Sequence, residues 1–231
     1  MIEGAHIVVI VPARDEEAAI GKVLSEIPPS VSEVIVVDNG SRDATAERAR
    51  AAGARVVGEP LPGYGRACLA GIDAAAGADV LVFLDGDGSE YPESLPSLVA
   101  PILAGQADLV IGSRSRGRRT PGAQPWHAVL GTSVCVTLMN LLIGTRATDL
   151  GPFRAISAEA LRLLDMRDTG FGWTVEMQVK AQRRGLRVSE VPVDYRPRLG
   201  RSKISGTVGG SLRAGAKILF TIARHAVKGG G

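Results

Sequence analysis

The sequence predicts an α/β protein built on a mostly parallel sheet with helices on both faces. Two observations lead there. Apolar runs alternate with helical patterns from the amino terminus to about Gly112, the rhythm of strands joined by crossover helices. The runs IVVIV, VIVV and VLVFL are apolar on both sides, as strands buried on two faces must be. The composition agrees: 45% hydrophobic and 22% charged residues describe an ordinary globular α/β chain, not a disordered or fibrous one.

The elements follow in order. A strand over 6–11 is closed by Pro12. A helix over 16–26 is stopped by Pro28 and Pro29, because proline cannot continue a helix. A strand over 33–37 precedes a helix over 44–52, with Asp43 as its N-cap and Gly53 as its stop. A short strand over 55–57, a helix over 66–76, a strand over 80–84, a helix over 93–104 and a strand over 109–111 complete the regular part. After Gly112 the rhythm breaks into a basic loop and a long helical stretch over 126–143. Helices over 157–164 and 173–184 bracket a loop, a β-like run covers 187–195, and a basic amphipathic helix covers about 210–227. No repeat or linker divides the chain. It reads as one domain over 1–231, with a nucleotide-binding half (1–112) and a second half (113–231) that completes the site and receives the acceptor.

The net charge of +3 is too small to argue for nucleic acid, and none is expected as a partner. Arg114, Arg116, Arg118 and Arg119 form one basic cluster; Arg196, Arg198, Arg201 and Lys203 form another. Such clusters mark anionic partners or plain solvated surface. Cys68 and Cys135 have neither metal spacing nor a disulfide pattern, which points to a reducing compartment. His6, His127 and His225 show no ligand spacing. The amino terminus runs directly into a strand pattern rather than a signal peptide. The uncharged run over 128–145 reads as a buried or interfacial helix rather than a span.

The most informative segment is VLVFLDGDGSEYPE at 80–93. Its strand ends in Asp85 and Asp87, separated by one glycine. Alternate residues of an extended segment point the same way, and the carboxyl ends of strands are where open α/β sheets place ligands. Two hard anionic oxygens there suit Mg²⁺ or Mn²⁺, with substrate phosphates completing the shell. Asp-Gly-Asp also occurs in plain turns, so its companions matter.

Pro12, Ala13 and Glu16 close the first strand and open the first helix, either capping it or meeting a nucleoside. Asp38 closes the second strand; on strands expected to be neighbours, Asp38 and Asp85 would share a site. Its carboxylate could accept from uracil N3–H or guanine N1–H, or serve the turn alone. Gly65, in Pro62-Gly63-Tyr64-Gly65, would let a helix N-terminus approach an anion. Arg114 would project beside Asp87 as a phosphate clamp. Asp149 and Arg154 would meet acceptor or phosphate groups, or form an ion pair in a turn. Glu176 is a general base or a helix-dipole partner. Arg198 and Lys203 lie on a loop suited to a phosphate-binding lid.

Taken in order, VIVPARDEE, VVDNGSRD, FLDGDGSEYPE, GSR, DLGPFRAI and the stretch from EMQVKAQRRG to GRSK resemble the family 2 glycosyltransferases of GT-A fold, a Rossmann-like architecture. The likeness is greatest to the polyprenyl-phosphate sugar transferases and runs from about Val8 to Ile204. It implies that Pro12, Ala13 and Glu16 line the nucleoside pocket with Asp38 at the base. It implies that Asp85 and Asp87 are the metal–diphosphate pair, and that Arg114, Arg154, Arg198 and Lys203 surround donor and acceptor phosphates. Asp87, Arg114, Asp149 and Glu176 are the expected catalytic set. Ser89, followed by Glu90, stands where the family pattern carries a glutamine that helps hold the metal.

The function expected is an inverting, Mg²⁺- or Mn²⁺-dependent transfer of a hexose to a polyprenyl phosphate. The donor is a nucleotide-diphospho-sugar, UDP-glucose or a related hexose ahead of a GDP-sugar. A soluble hydroxyl or phosphorylated acceptor is the first alternative; a nucleotidyltransferase or a non-catalytic sugar-nucleotide-binding module are the others. The family's membrane-spanning tail does not follow in this sequence. A cytoplasmic protein is therefore expected, in peripheral contact with the inner face of the membrane through the stretch over 130–143 and the last helix, unless those helices pack on the core or in a homodimer.

Overall fold

The computed structural model describes residues 4–200 and 208–227, with side chains over 4–200 and 215–224. Arg201, Lys203 and Lys228 lie outside the described residues, as does the side chain of Arg213.

Seven strands form one sheet: β1 (Ile7–Ala13), β2 (Glu33–Asp38), β3 (Arg55–Gly58), β4 (Val80–Phe83), β5 (Leu109–Ser113), β6 (Arg154–Ser157) and β7 (Val188–Pro192), in the order β3-β2-β1-β4-β6-β5-β7. β1 pairs with β2 and β4, β2 with β3, and β5 with β7, all parallel. β6 is antiparallel to both β4 and β5, and it was not expected from the sequence. At four residues it is too short for a periodic signal, and it runs directly into a helix.

β1 is an interior strand, buried between β2 and β4. Its even residues Val8 and Ile10 pack under α3 (Tyr64–Ala74), α6 (Ala158–Leu164) and α7 (Trp173–Arg183), through Cys68, Leu161 and Trp173. Its odd residues Val9 and Val11 pack under α1 (Ile20–Ser25) and α4 (Leu95–Leu103), through Val23 and Leu98. That is the period of two with both faces covered, so the strand is apolar throughout. A third cluster joins α5 (Trp126–Ile143), α7 and α8 (Val208–Val227) through Met139, Val179 and Ile222.

Two expectations need correction. β1 lies between β2 and β4, so Asp38 and Asp85 do not end neighbouring strands. The chain runs outward from β1 to β3 and returns to the other side of β1, which puts a crevice beyond the strand ends at the reversal. The first helix begins at Ile20, not Glu16. The backbone N–H groups of Asp15, Glu16 and Glu17 donate to Ser41 Oγ, Thr45 Oγ1 and Asp43 Oδ2. Those side chains belong to the turn into α2 (Thr45–Ala51), so residues 14–19 follow that turn instead of coiling.

Candidate active site

Leu84 carries β4 one hydrogen bond past its last pair, to Ile10 O, and the chain then turns through Asp85-Gly-Asp87. Asp85 N–H donates to Glu90 Oε2 (3.1 Å), and Asp85 Oδ1 accepts from the Tyr64 hydroxyl (3.0 Å). Asp87 Oδ1 accepts from both the N–H (2.9 Å) and the Oγ (2.5 Å) of Ser89. Ser89, which stands where the family pattern carries a metal-holding glutamine, is thus spent on orienting Asp87. Among the described residues, no group of three or more His, Cys, Asp or Glu side chains is arranged to hold a metal. A cation here would rest on two carboxylates plus oxygens from a ligand.

Residues 195–200 cross over this turn as a strap. Arg196 N–H donates to Ser89 O and Leu199 N–H to Asp87 O, while Tyr195 bridges to Glu90. Arg196 is tied down by an ion pair with Glu26 and lies 4.4 Å from the Tyr91 ring centroid. Gly88, at φ +74°, passes beneath Leu199, where a Cβ would come within 3.3 Å of the leucine Cδ1. The strap delivers Arg198, whose Nη2 lies 3.0 Å from Glu16 Oε1 and 3.2 Å from Asp87 Oδ2. Its Nε is buried with no hydrogen-bond partner.

A cavity of about 390 Å³ opens between the strap and the ends of β1 and α3, lined by Pro12, Ala13, Glu16, Tyr64, Phe171 and Arg198 among others. Both Asp85 and Asp87 reach it. Burial first, and the Asp87 charge second, push the Asp85 carboxyl up to about 7; Tyr64, Arg114 and Arg198 pull the other way. Burial and then Asp85 raise the neighbouring Glu90. These are the shifts of carboxyls crowded together in low dielectric. They describe a site with an excess of negative charge, and the donor set fits a hard divalent ion.

Of the expected residues, Pro12, Ala13, Glu16, Asp85, Asp87 and Arg198 therefore converge on one cavity. Asp38 sits at the same sheet edge, half-buried, with Oδ1 accepting from Ser41 N–H. The residue of that turn which lines the cavity is Asn39. Its amide accepts from Gly63 N–H and donates to Glu59 O and Leu61 O, which fixes the cavity wall.

Three expected contacts are engaged elsewhere. Gly65 does not offer its N–H to an anion, because it donates to Gly170 O, and a Cβ there would lie 2.0 Å from Asp168 O. Its smallness admits the 168–171 loop, which carries Phe171 over the cavity. Glu176 is buried and away from the cavity; it accepts from the N–H groups of Arg167 and Asp168 and pairs with Lys180 Nζ at 2.7 Å. It holds the same loop. Arg154 is fully buried; its guanidinium donates to the carbonyls of Leu150, Gly151 and Thr174. Burial pulls it down to about 10, partly offset by the ionisable groups around it, Tyr64, Cys68, Asp149 and Asp85. It is not among the residues that line the cavity, though its charge is felt together with that of Asp85.

Arg114 and Asp149 form a buried two-point ion pair at 2.8 and 2.7 Å, with Arg114 N–H as a third donor. The expected ion pair in this turn exists, but with Arg114 in place of Arg154. Burial would raise Asp149, and the hydrogen bonds and charge of Arg114 overcome it, so its carboxyl titrates below the usual range. The Arg114 guanidinium also lies 5.2 Å from the Tyr195 ring centroid, which links the pair to the strap.

Sequence reasoning missed Tyr64, Asn39, Phe171 and Glu90. Tyr64 stands inside the segment read for its glycines; a phenol beside an acidic turn has no spacing signature.

Comparison with known proteins agrees with this geometry. The model of the family "Glycosyl transferase family 2" matches residues 8–164. The chain is 40% identical over 213 residues to an uncharacterized glycosyltransferase of Mycobacterium tuberculosis, covering 91% of this chain and 95% of that one. It is 33% identical over 227 residues to the undecaprenyl-phosphate mannosyltransferase of Micrococcus luteus, covering 89% and 90%. Among solved structures it resembles the glucosyl-3-phosphoglycerate synthase of Mycobacterium tuberculosis in complex with Mn²⁺, UDP and glucosyl-3-phosphoglycerate. The TM-score is 0.78 at 27% identity, covering 96% of this chain and 80% of that one. The same enzyme is also known with Mg²⁺ and UDP. With a matching family model over most of its length and the acidic turn, strap and cavity in place, this chain belongs to glycosyl transferase family 2.

Proposed function

We propose that this glycosyltransferase moves a hexose, with inversion, from a nucleotide-diphospho-sugar to a polyprenyl phosphate. The donor read from these residues is UDP-glucose or a related UDP-hexose. The observation that carries the reading is the Asp85–Asp87 pair at a cavity where the chain's own cation, Arg198, meets Asp87. Asp85 and Asp87 would hold Mg²⁺ or Mn²⁺, which when bound supplies counter-charge to the leaving diphosphate. Pro12, Ala13, Glu16 and Asn39 would bound the nucleoside, with Asp38 behind Asn39. Arg198 would pass from Asp87 to the diphosphate, joined by Lys203, and Arg114 would hold the strap through Tyr195.

The acceptor reading rests on the carboxylates. Asp149 is held by Arg114, and Glu176 by two backbone N–H groups and Lys180. Both carboxylates are thus engaged within the protein, which favours an acceptor that needs no base. A phosphate oxygen is ionised at neutral pH and needs no base. It would attack the anomeric carbon, forming a C–O bond as the bond from that carbon to the diphosphate breaks, and the nucleoside diphosphate leaves with the electron pair. The name of the Micrococcus luteus relative supports a lipid phosphate acceptor. The solved relative with bound phosphoglyceric acid favours, as a second reading, a soluble phosphorylated acceptor.

The test is a panel of labelled UDP- and GDP-hexoses with polyprenyl phosphate or 3-phosphoglycerate, read by partition between organic and aqueous phases. Label in the organic phase with a UDP-hexose supports the proposal. Label confined to an aqueous product supports the second reading. Release of pyrophosphate from a nucleoside triphosphate would identify a nucleotidyltransferase. UDP binding with no transfer would identify a binding module.

A further inference from the structure

The helix α5 is apolar on two sides. Cys135, Val136 and Met139 are buried against the third core cluster. On the opposite side Trp126, Leu130, Val134 and Leu141, spaced close to whole helical turns, form a stripe open to solvent, with Trp126 and Leu141 each 77% exposed. A helix apolar on both sides is normally covered on both, and an exposed apolar stripe marks an interaction surface. α8, which packs beside α5 in the same cluster, exposes Leu219 and Phe220.

The charge of the chain is divided in a way that says what covers the stripe. Residues 114–148, which lead into and contain α5, and residues 195–231, which contain the strap and α8, hold 13 Lys and Arg and no Asp or Glu. The other residues hold 14 Lys and Arg against 24 Asp and Glu. By sequence the exposed apolar helices thus lie in the cationic stretches of an otherwise acidic chain, in which Arg114, Arg118, Arg196, Arg198 and Lys217 are paired with acidic side chains. A second copy docked face to face would bring like charges together, which is unfavourable. An anionic bilayer surface matches both features: apolar side chains enter the interface, tryptophan sits at headgroup level, and cations meet anionic lipids.

We infer that α5 and α8 form a monotopic docking face that lays this protein on an anionic lipid surface. The face is joined to the cavity. Lys217 of α8 pairs with Asp168 Oδ2 at 3.2 Å, and Thr221 lies so close to Gly172 that a Cβ there would sit 2.4 Å from its Oγ1. Both contacts are with the segment that carries Phe171 over the cavity. Docking therefore sets the cavity beside the lipid headgroups. The inference stands on exposure and charge and is independent of the proposed acceptor.

The experiment is co-sedimentation of the whole chain with vesicles of phosphatidylcholine alone, or phosphatidylcholine mixed with phosphatidylglycerol, with no donor or acceptor. Of the two tryptophans, Trp173 is buried and Trp126 exposed, so iodide quenching reads Trp126 directly. Binding to the anionic vesicles, with Trp126 protected from iodide, is expected. The double variant L130E/L141E should weaken that binding by about tenfold or more. Both positions are exposed, so UDP binding by calorimetry should be unchanged, which separates lost docking from a damaged site. No vesicle binding, or binding that leaves Trp126 open to iodide, overturns the inference. So does a dimer in analytical ultracentrifugation that L130E/L141E dissociates, because a second copy would then be the cover. Vesicle binding without transfer to polyprenyl phosphate would overturn the acceptor reading and leave the docking face standing.

Discussion

Arg198 Nη2 lies 3.2 Å from Asp87 Oδ2: the second carboxylate of the acidic turn is matched by a cation from its own chain. The same nitrogen meets Glu16, so the guanidinium stands where positive charge is wanted. A divalent ion must share or take that place. Arg198→Met keeps the length of the side chain and removes the charge. We expect Mn²⁺ to bind the nucleotide-free variant several-fold more tightly, while UDP-hexose turnover falls by about 10²-fold for want of a charge on the diphosphate. Paramagnetic titration of free Mn²⁺ and steady-state kinetics measure the two. Unchanged Mn²⁺ affinity would show that Arg198 does not compete for the site.

Asp87→Asn keeps the shape of the turn and its bond from Ser89, and halves the anionic pair. Turnover with saturating Mn²⁺ should fall by about 10²–10³-fold. The melting temperature should hold or rise, because repulsion with Asp85 is relieved. Full turnover in this variant would remove Asp87 from the metal site.

Asp149 titrates below the usual carboxylate range because Arg114 outweighs its burial. The native state therefore binds fewer protons than the unfolded chain near pH 4. The pair's contribution is fully present above the unfolded value of about 3.9, and is lost as the pH falls through the lower folded value. Asp149→Asn leaves Arg114 buried and unpaired, which should cost about 3–5 kcal/mol at pH 7. Urea unfolding from pH 7 to pH 3 should show the gap between wild type and variant closing only below about pH 4. A gap independent of pH would mean that Asp149 has no depressed titration.

Glu176 provides a test of placement against chemistry. As a clasp on the 167–168 backbone and Lys180, its replacement in Glu176→Gln should cost about 1–3 kcal/mol of stability. Turnover should drop only modestly, with an unaltered pH profile. A loss of a thousandfold at full stability, with the acid limb of the profile gone, would return Glu176 to the role of base.

What the sequence displayed and what it hid divide along physical lines. Strands buried on both faces announce themselves, as β1, β2 and β4 do, because every residue must be apolar. The acidic turn announces itself too, since two carboxylates at a strand end have few structural uses. Arg154 was hidden because a guanidinium satisfied by three backbone carbonyls looks, in sequence, the same as one awaiting a phosphate. Glu176 was hidden for the matching reason, as its partners are main-chain N–H groups of the loop that leads into its own helix. Arg114 and Asp149 were both marked, but not as partners: 35 positions apart, they are paired only by the fold. The neighbours of Asp38 and Asp85 were misjudged because strand order is set by crossover direction, which no local pattern carries.

The antiparallel strand β6 bears on how this protein is made. Its pairing joins Val80 to Ser157 and Phe83 to Arg154, so the edge of β4 that supports the acidic turn is covered by residues synthesised some seventy positions later. A nascent chain that has released only the first five strands has its central sheet half-edged, with a row of backbone donors and acceptors open to other chains. Assembly must wait for the segment around Arg154, a contact between parts far apart in sequence and slow to close. The two halves of the polypeptide are thus expected to fold together, and a fragment ending before β6 should aggregate rather than bind nucleotide.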